Sequence, residues 1–228
     1  LQRLIMIQQQ LLDLFNREYE FNAFIATGNE VSVSNIQSFS SQFTHLYGEH
    51  LTGKTHLLKA WVNLANHKYH NARYLDATQL LIGDLRGVDL DLFRFIAIDN
   101  IDLLSDELQI ELFDVFNHIK LQGRNNYLLT SSNVNLNHSS AIRIDLKTRI
   151  HSGMVFALKS LNEDELFHAL TIYTNREGIK IGETEIKYIL THYTRNLGKL
   201  IEFINQVSKT ATMQKKAITI PLIKHNEI

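Results

Sequence analysis

The feature that most constrains this chain is the segment Gly48–Thr55, GEHLTGKT, which matches the pattern G-x-x-x-x-G-K-[ST] at every fixed position. An apolar run typical of a strand, Phe43–Tyr47, precedes it, and a helical pattern over Lys54–Asn66 follows it. In such a loop the glycines let successive backbone N–H groups face a phosphate, and the helix N-terminus adds positive potential. The alternative is a coincidental turn, which would match this pattern by chance in roughly 1% of chains of this length. The segment therefore predicts a nucleotide-binding α/β domain.

The same pattern assigns roles to individual residues of the loop. The Lys54 ammonium is expected to reach the β- and γ-phosphates, and the Thr55 hydroxyl is expected to ligate Mg²⁺. The predicted cofactors are therefore ADP or ATP with Mg²⁺. The residues predicted to contact the nucleotide here are Gly48, Leu51, Thr52, Gly53, Lys54, Thr55 and, through its backbone, His56.

A second motif lies one strand-helix-strand unit downstream. The run Phe95–Asp99, FIAID, ends in an acid at the carboxyl end of an apolar strand, where Asp99 can hold Mg²⁺ directly or through water. The alternative is an ordinary aspartate that starts a loop. Asn100 follows, at a position where many ATPases of this kind carry an acid that activates the attacking water. An amide cannot accept that proton, so we expect slow intrinsic hydrolysis.

Apolar runs alternate with helical stretches over the first two-thirds of the chain, which indicates a parallel sheet covered by helices on both faces. From about residue 160 the period becomes helical throughout, and Ser160 with Glu163 fits a capping box. We therefore predict an N-terminal segment over 1–20, a nucleotide-binding αβα domain over 21–159 and an all-helical domain over 160–228. The remaining predicted strands are Ala72–Asp76, Phe93–Ile98, Tyr127–Thr130 and Met154–Leu158, and the remaining helices are Asp106–Gln122, Glu183–Tyr193 and Asn196–Ala211.

Several short segments, in chain order, resemble the P-loop AAA+ domain and helical lid of the DnaA-related family of bacterial replication proteins. Three of them, Ile98–Ile101, Leu161–Leu170 and Ala217–Lys224, are most similar to the Hda branch, whose members inactivate the initiator DnaA. The others are Phe21–Ile25, the loop itself, Leu128–Ser132 and Leu146–Ile150.

This resemblance implies roles that spacing alone does not. It implies that Phe24 contacts the nucleotide, that Ser132 is the sensor 1 residue and that Arg149 is an arginine finger acting in trans on DnaA-bound ATP. A surface pair of Arg149 with Asp145 is the alternative for that arginine. The family's sensor 2 arginine falls on Gly198 here, which favours a platform holding ADP over a working motor.

A peptide near the N-terminus predicts a second protein partner, the DNA polymerase sliding clamp. Gln10, Leu11, Leu14 and Phe15 resemble the peptide with which such proteins bind the DNA polymerase sliding clamp, although one extra leucine separates the glutamine from the apolar end. The alternative is an amphipathic turn packed on its own domain.

Composition excludes several function classes. The formal net charge of −1 and the few residues after Pro221 argue against direct DNA binding, so DNA is expected only through the clamp. The chain lacks cysteine, a signal peptide and any apolar run of about 20 residues, and we expect a cytoplasmic protein without a membrane partner.

The first of three candidate functions is the one that we predict, and the other two are its alternatives. The first is an Hda-like negative regulator of replication initiation, with DnaA and the clamp as partners and self-association undecided. The second is an independent AAA+ ATPase of the helicase-loader type. The third is an initiator-like adaptor that tethers partners to DNA or membrane.

Overall fold

The computed structural model describes residues 19–122 and 126–226. The chain divides into two compact units, the first running to Ser160 and the second beginning at Leu161. Each unit is described by itself.

The first unit contains a five-stranded sheet in which every pairing is parallel and the strand order is β2-β3-β4-β1-β5. The predicted parallel α/β sheet is therefore confirmed. Its strands are β1 (Phe43–Tyr47), β2 (Ala72–Asp76), β3 (Phe95–Asp99), β4 (Tyr127–Ser132) and β5 (Met154–Ala157). Strand β3 begins at Phe95 rather than at the predicted Phe93, because the Phe93 amide closes a turn on the Asp89 carbonyl instead of joining the sheet.

Helices cover both faces of this sheet, as the alternation of β3 requires. The helices of this unit are α1 (Glu30–Gln37), α2 (Lys54–Tyr69), α3 (Asp106–Gln122) and α4 (Ile144–His151). Ile96 and Ile98 belong to one buried cluster together with apolar residues of α3 and α4. Phe95 and Ala97 belong to another, together with apolar residues of α2.

The second unit is entirely helical and has its own apolar core, which includes Leu170, Ile189, Leu200 and Ile204. Its helices are α5 (Glu163–Arg176), α6 (Glu183–His192), α7 (Leu197–Gln214) and α8 (Ile220–His225). None of the helices in the described part of the chain is both long and apolar enough to cross a membrane.

The predicted capping box of Ser160 with Glu163 is wrong by two residues. Helix α5 begins at Glu163, so its cap is Asn162, whose Oδ1 accepts a hydrogen bond from the Glu165 amide at 2.9 Å. The Glu165 carboxylate in turn accepts from the Asn162 amide at 2.7 Å. An asparagine serves this role as well as a serine does, and the sequence offered both within three positions.

Candidate nucleotide site

The loop Gly48–Thr55 connects the end of β1 to the start of α2, and both of its glycines are required by their surroundings. Gly53 precedes the helix with φ of +88°, and a Cβ there would lie 2.6 Å from a ring carbon of Phe24. A Cβ on Gly48 would lie 2.5 Å from the carbonyl oxygen of Leu158. Any larger residue at either position would have to move the loop or its neighbours.

The Lys54 side chain folds back into this loop. Its Nζ donates hydrogen bonds to the carbonyl oxygens of Gly48 at 2.8 Å and of Glu49 at 2.7 Å, and the residue is only 5% exposed. Burial lowers the pKa of Lys54, and the nearby charges of Asp99 and Asp102 oppose that shift. An ammonium bonded only to loop oxygens can exchange these bonds for phosphate oxygens without leaving the loop.

Asp99 is fully buried at the carboxyl end of β3 and accepts hydrogen bonds from four groups. On Oδ2 the donors are the hydroxyls of Thr55 at 2.6 Å and of Tyr74 at 2.9 Å. On Oδ1 they are the Ser131 hydroxyl and the backbone N–H of Asn100, the latter at 3.1 Å. The two side chains predicted to hold Mg²⁺, Thr55 and Asp99, are therefore in direct contact. Hydroxyl and carboxylate oxygens are the hard ligands that this ion prefers.

Tyr74 and Ser131 were not identified from the sequence. Tyr74 lies on β2, which pairs with β3, and Ser131 lies on β4, on the other side of β3. Burial, together with the adjacent Asp99 carboxylate, raises the pKa of Tyr74 well above its ordinary value, so the phenol remains a donor. Only the strand order could have brought these two hydroxyls to Asp99.

Asn100, directly after β3, has a left-handed backbone conformation with φ of +58°. Its side-chain amide connects the end of β3 to the ends of β2 and β4. Its Nδ2 donates to Asp76, the last residue of β2, at 3.3 Å, and its Oδ1 accepts from Asn133, directly after β4, at 3.4 Å. Burial would raise the pKa of Asp76, but hydrogen bonds from Thr78 and Asn100 outweigh it and the pKa is lowered. The position after Asp99 thus carries a neutral amide with both ends engaged.

Ser132, predicted as sensor 1, points away from Asp99. Its hydroxyl donates to the Val134 carbonyl at 2.6 Å and lies 3.1 Å from Nε2 of His45. Because side chains alternate along a strand, the neighbouring Ser131 takes the place on the Asp99 carboxylate. Burial lowers the pKa of His45 to about 3, so this ring is neutral. Its Nε2–H donates to Ser132, and its Nδ1 accepts from the Thr130 hydroxyl at 2.8 Å.

Aromatic rings from the segment before α1 pack on the first turn of α2. The Phe24 ring lies 5.6 Å from that of His56, and the Tyr19 ring lies 5.5 Å from it on an edge-to-face geometry. His56 Nε2 donates to the Glu20 carbonyl at 3.0 Å. The two residues predicted to contact nucleotide outside the loop core, Phe24 and His56, are therefore neighbours beside Gly53. A cavity of about 450 Å³ opens on another side of the loop, lined by Tyr47, Gly48, Glu49, Asn133, Asn135 and residues 157–160.

Arg149 lies on α4, a helix that is not among those predicted from the sequence. Its guanidinium carbon lies 5.4 Å from the centre of the Phe113 ring on α3, and no carboxylate in the described ranges is within ion-pair distance of it. The alternative pair with Asp145 is not formed. Asp145 instead accepts two hydrogen bonds from Arg143, at 2.9 and 3.2 Å, and this pairing lowers the pKa of Asp145.

Two other predictions fall elsewhere. Gln10, Leu11, Leu14 and Phe15 lie outside the described residues. Gly198 lies in the first turn of α7, two residues after Asn196, which caps that helix by accepting from the Lys199 amide at 2.7 Å.

A five-stranded parallel sheet, a glycine-lysine loop after β1, a buried aspartate at the end of β3 and a following helical unit define a P-loop protein of the AAA+ class. Solved structures agree. Domain III of DnaA from Thermotoga maritima superposes with a TM-score of 0.75 at 19% identity, over 92% of this chain and 95% of that chain. AMPPCP-bound DnaA from Aquifex aeolicus gives 0.68 at 21%, over 87% and 69%. The RuvB Holliday junction branch migration motor of Thermotoga maritima gives 0.71 at 17%, over 93% and 72%.

The helical unit narrows this class. Residues 163–226 match the family model described as the lid domain of Hda. Together with the fold of DnaA domain III in the first unit, this match shows that the chain is similar to DnaA- and Hda-related AAA+ proteins. An uncharacterized protein of Haemophilus influenzae is 24% identical over 193 residues, which are 83% of each chain.

Proposed function

We propose that this protein is an Hda-like regulator of bacterial replication initiation. It binds ADP or ATP, docks on the DNA polymerase sliding clamp and promotes hydrolysis of the ATP that DnaA holds. The match of residues 163–226 to the Hda lid supports the regulator class. The observation that carries the catalytic part is Arg149, whose guanidinium contacts an aromatic face and no carboxylate among the described residues.

Nucleotide binding rests on the chemistry of the loop. Lys54 would exchange its two carbonyl contacts for phosphate oxygens, and Thr55 with Asp99 would hold Mg²⁺. The ion would supply charge neutralisation between the β- and γ-phosphates. The aromatic pair of Phe24 and His56 beside the loop offers an apolar surface to the adenine base. A DnaA structure with bound AMPPCP is among the similar folds, which supports an adenine nucleotide as ligand.

The protein's own turnover is proposed to be slow. The Asn100 amide has no site that accepts a proton from water at neutral pH. The carboxylate that its side chain bonds, Asp76, accepts hydrogen bonds from Asn100 and Thr78 on Oδ1 and has a lowered pKa, so it is a weak base. We expect steady-state rates for the isolated protein far below the ~1–10³ s⁻¹ of typical enzymes. A rate within that range would instead support an independent ATPase of the helicase-loader type.

The catalytic contribution is proposed to act on the partner. A guanidinium placed against the γ-phosphate of an adjacent subunit stabilises the charge of the transition state, an effect of ~10³–10⁵ in rate in GTPases. Arg149 is suited to this role because Phe113 orients its guanidinium without neutralising it. Arg143 is less suited because Asp145 already binds it through two hydrogen bonds.

Docking on the clamp rests on the peptide that carries Gln10, Leu11, Leu14 and Phe15. In this mode the apolar side chains fill a pocket of the clamp while the glutamine bonds at its rim. DNA would then be reached only through the clamp. A pull-down with the clamp separates this proposal from the adaptor that tethers partners to DNA or membrane without it.

One assay tests the proposal as a whole. DnaA from the same organism is loaded with ATP, and its hydrolysis is followed on clamp-loaded DNA with and without this protein. We expect stimulation that requires both the clamp and this protein. An unchanged DnaA rate at saturating protein would reject the proposal.

A further inference from the structure

A second cavity of about 400 Å³ lies in the first unit between helix α3 and the loop that joins β2 to β3. It shares no lining residue with the cavity beside the nucleotide loop. Its apolar walls include the buried side chains of Leu85, Val88 and Val115. We call it the acidic cavity because four carboxylates line it, against one arginine and one histidine, Arg86 and His118.

Glu111, on α3, is the buried member of this set and is 0% exposed. Its Oε1 accepts a hydrogen bond from the Gly83 amide at 2.8 Å. Its Oε2 is buried and has no hydrogen-bond partner within residues 19–122 and 126–226. A buried carboxylate oxygen without a donor is costly, and such groups are rare unless they bind something. A hydrogen-bond donor for this oxygen would therefore have to come from outside the described residues.

The arginine of the cavity does not fill that need. Arg86 Nε lies 3.7 Å from Oε1, the oxygen that already accepts from Gly83, and its side chain is 63% exposed. That distance is too long for a hydrogen bond. Arg86 is therefore a loose counter-ion at the cavity rather than the partner of Oε2.

The other three carboxylates that line the cavity belong to exposed residues. They are Asp89, Asp91 and Asp114. Asp89 also orders the rim, because its Oδ1 accepts from the amides of Asp91 at 2.9 Å and of Leu92 at 3.0 Å. The cavity thus combines an acidic rim, apolar walls and a buried acceptor at one point.

We propose that the acidic cavity binds a guanidinium or primary ammonium group carried on an aliphatic chain. The aliphatic stem packs against Leu85, Val88 and Val115, and the cationic head donates to Glu111 Oε2. A bare metal ion fits less well, because among the described residues no three His, Cys, Asp or Glu side chains are grouped to hold one. The same head group occurs on free polyamines and on arginine side chains of other proteins.

The test is a titration of the isotope-labelled full chain followed by NMR, with the Gly83 amide as reporter because it bonds Glu111 directly. Spermidine serves as the free polyamine and N-acetyl-arginine amide as the protein side chain, with the uncharged N-acetyl-citrulline amide as its control. We expect a saturable shift with at least one cation and none with the citrulline compound. Spermidine binding more tightly would indicate a free polyamine, and the arginine compound binding more tightly would indicate a protein side chain.

Variants connect this binding to Glu111. Glu111→Gln should weaken binding about tenfold or more, because a charge-assisted hydrogen bond is lost. Glu107→Gln, an exposed change on the same helix, should leave it unchanged. Arg86→Gln should strengthen binding, since the competing cation is removed.

If Glu111→Gln does not fold, Asp114→Asn at the exposed rim should still weaken binding two- to fivefold, about 0.4–1 kcal/mol. Absence of binding by both cations, or equal binding by wild type and the folded acid variants, would overturn the proposal.

Discussion

The carboxyl end of β3 and the helix α4 hold their charged groups in opposite ways. Asp99 is fully buried, and donors from α2, β2 and β4, with the Asn100 amide, converge on its carboxylate. Arg149 on α4 is half-buried against Phe113 and has no carboxylate beside it in the described part of the chain. Under the proposed function, the first arrangement would hold a carboxylate in place for a ligand bound by this protein, and the second would keep a cation available to an acceptor on a partner. We infer that the two regions serve two different nucleotides, and each prediction below tests one side of that division.

The largest effect is expected at α4. Arg149→Ala should reduce stimulation of DnaA-bound ATP hydrolysis by up to ~10³–10⁵-fold, because the guanidinium that stabilises the transition state is removed. ADP affinity and clamp binding of the variant should stay at wild-type values. Arg143→Ala is the matched control, because this arginine lies directly before α4 and is already paired with Asp145. That variant should retain stimulation. Full stimulation by Arg149→Ala would remove the arginine from the mechanism, and loss of its own ADP affinity would move it to the cis site.

The next effect concerns docking. Replacing Leu14 and Phe15 together by alanine should abolish detectable clamp binding, because two buried apolar side chains contribute roughly 1.5–3 kcal/mol each. Surface plasmon resonance on immobilised clamp measures this loss, and nucleotide titration serves as the control that should not change. A double variant that unfolds instead would assign these residues to the core of the protein.

The loop comes third. Lys54→Ala should weaken ADP and ATP binding by roughly 1.5–3 kcal/mol, about ten- to 150-fold, because one charge-assisted contact to phosphate is lost. Calorimetric titration measures the affinity, and a thermal melt establishes that the domain is folded. Lys68→Ala, at the other end of the same helix, should bind nucleotide normally. Equal affinities of Lys54→Ala and wild type would contradict the assignment of the loop.

The last prediction concerns the pH dependence of folding stability and tests whether the His45 ring, at the ends of the strands, is shielded from solvent. His45 has a folded pKa of about 3, below the ~6.5 of an unfolded histidine, so its neutral form is favoured by folding. The stability it contributes is fully present above about pH 6.5 and is lost toward pH 3, at about 1.4 kcal/mol per pH unit. Denaturant unfolding between pH 7 and pH 5 measures this slope. His45→Gln should flatten it, and an unchanged slope would indicate that the ring is accessible to solvent.

Much of this arrangement could be predicted from local sequence patterns. The loop Gly48–Thr55 and the acid Asp99 are fixed by short motifs that each end a strand, so both could be located without knowledge of the strand order. Helix α3 agrees with the predicted Asp106–Gln122 because its apolar period is long and regular.

The remainder depends on contacts that are distant in sequence. Tyr74 and Ser131 reach Asp99 only because β2 and β4 flank β3, and nothing local marks either residue. Helix α4 is not among the predicted helices because only two of its side chains, Leu146 and Ile150, are buried, which is too few to mark a helical period. The pairing of Asp145 with Arg143 rather than Arg149 depends on side-chain geometry that sequence spacing does not determine.

The division between the two nucleotides can be measured directly by moving a radioactive label. In one sample γ-³²P-ATP is preloaded on DnaA and unlabelled nucleotide on this protein, and in the other the label is exchanged. Both samples contain clamp-loaded DNA and are followed over a single turnover. We predict rapid release of labelled phosphate only when DnaA carries the label, and loss of that release with Arg149→Ala. Rapid release when this protein carries the label would contradict the account and make the chain an ATPase in its own right.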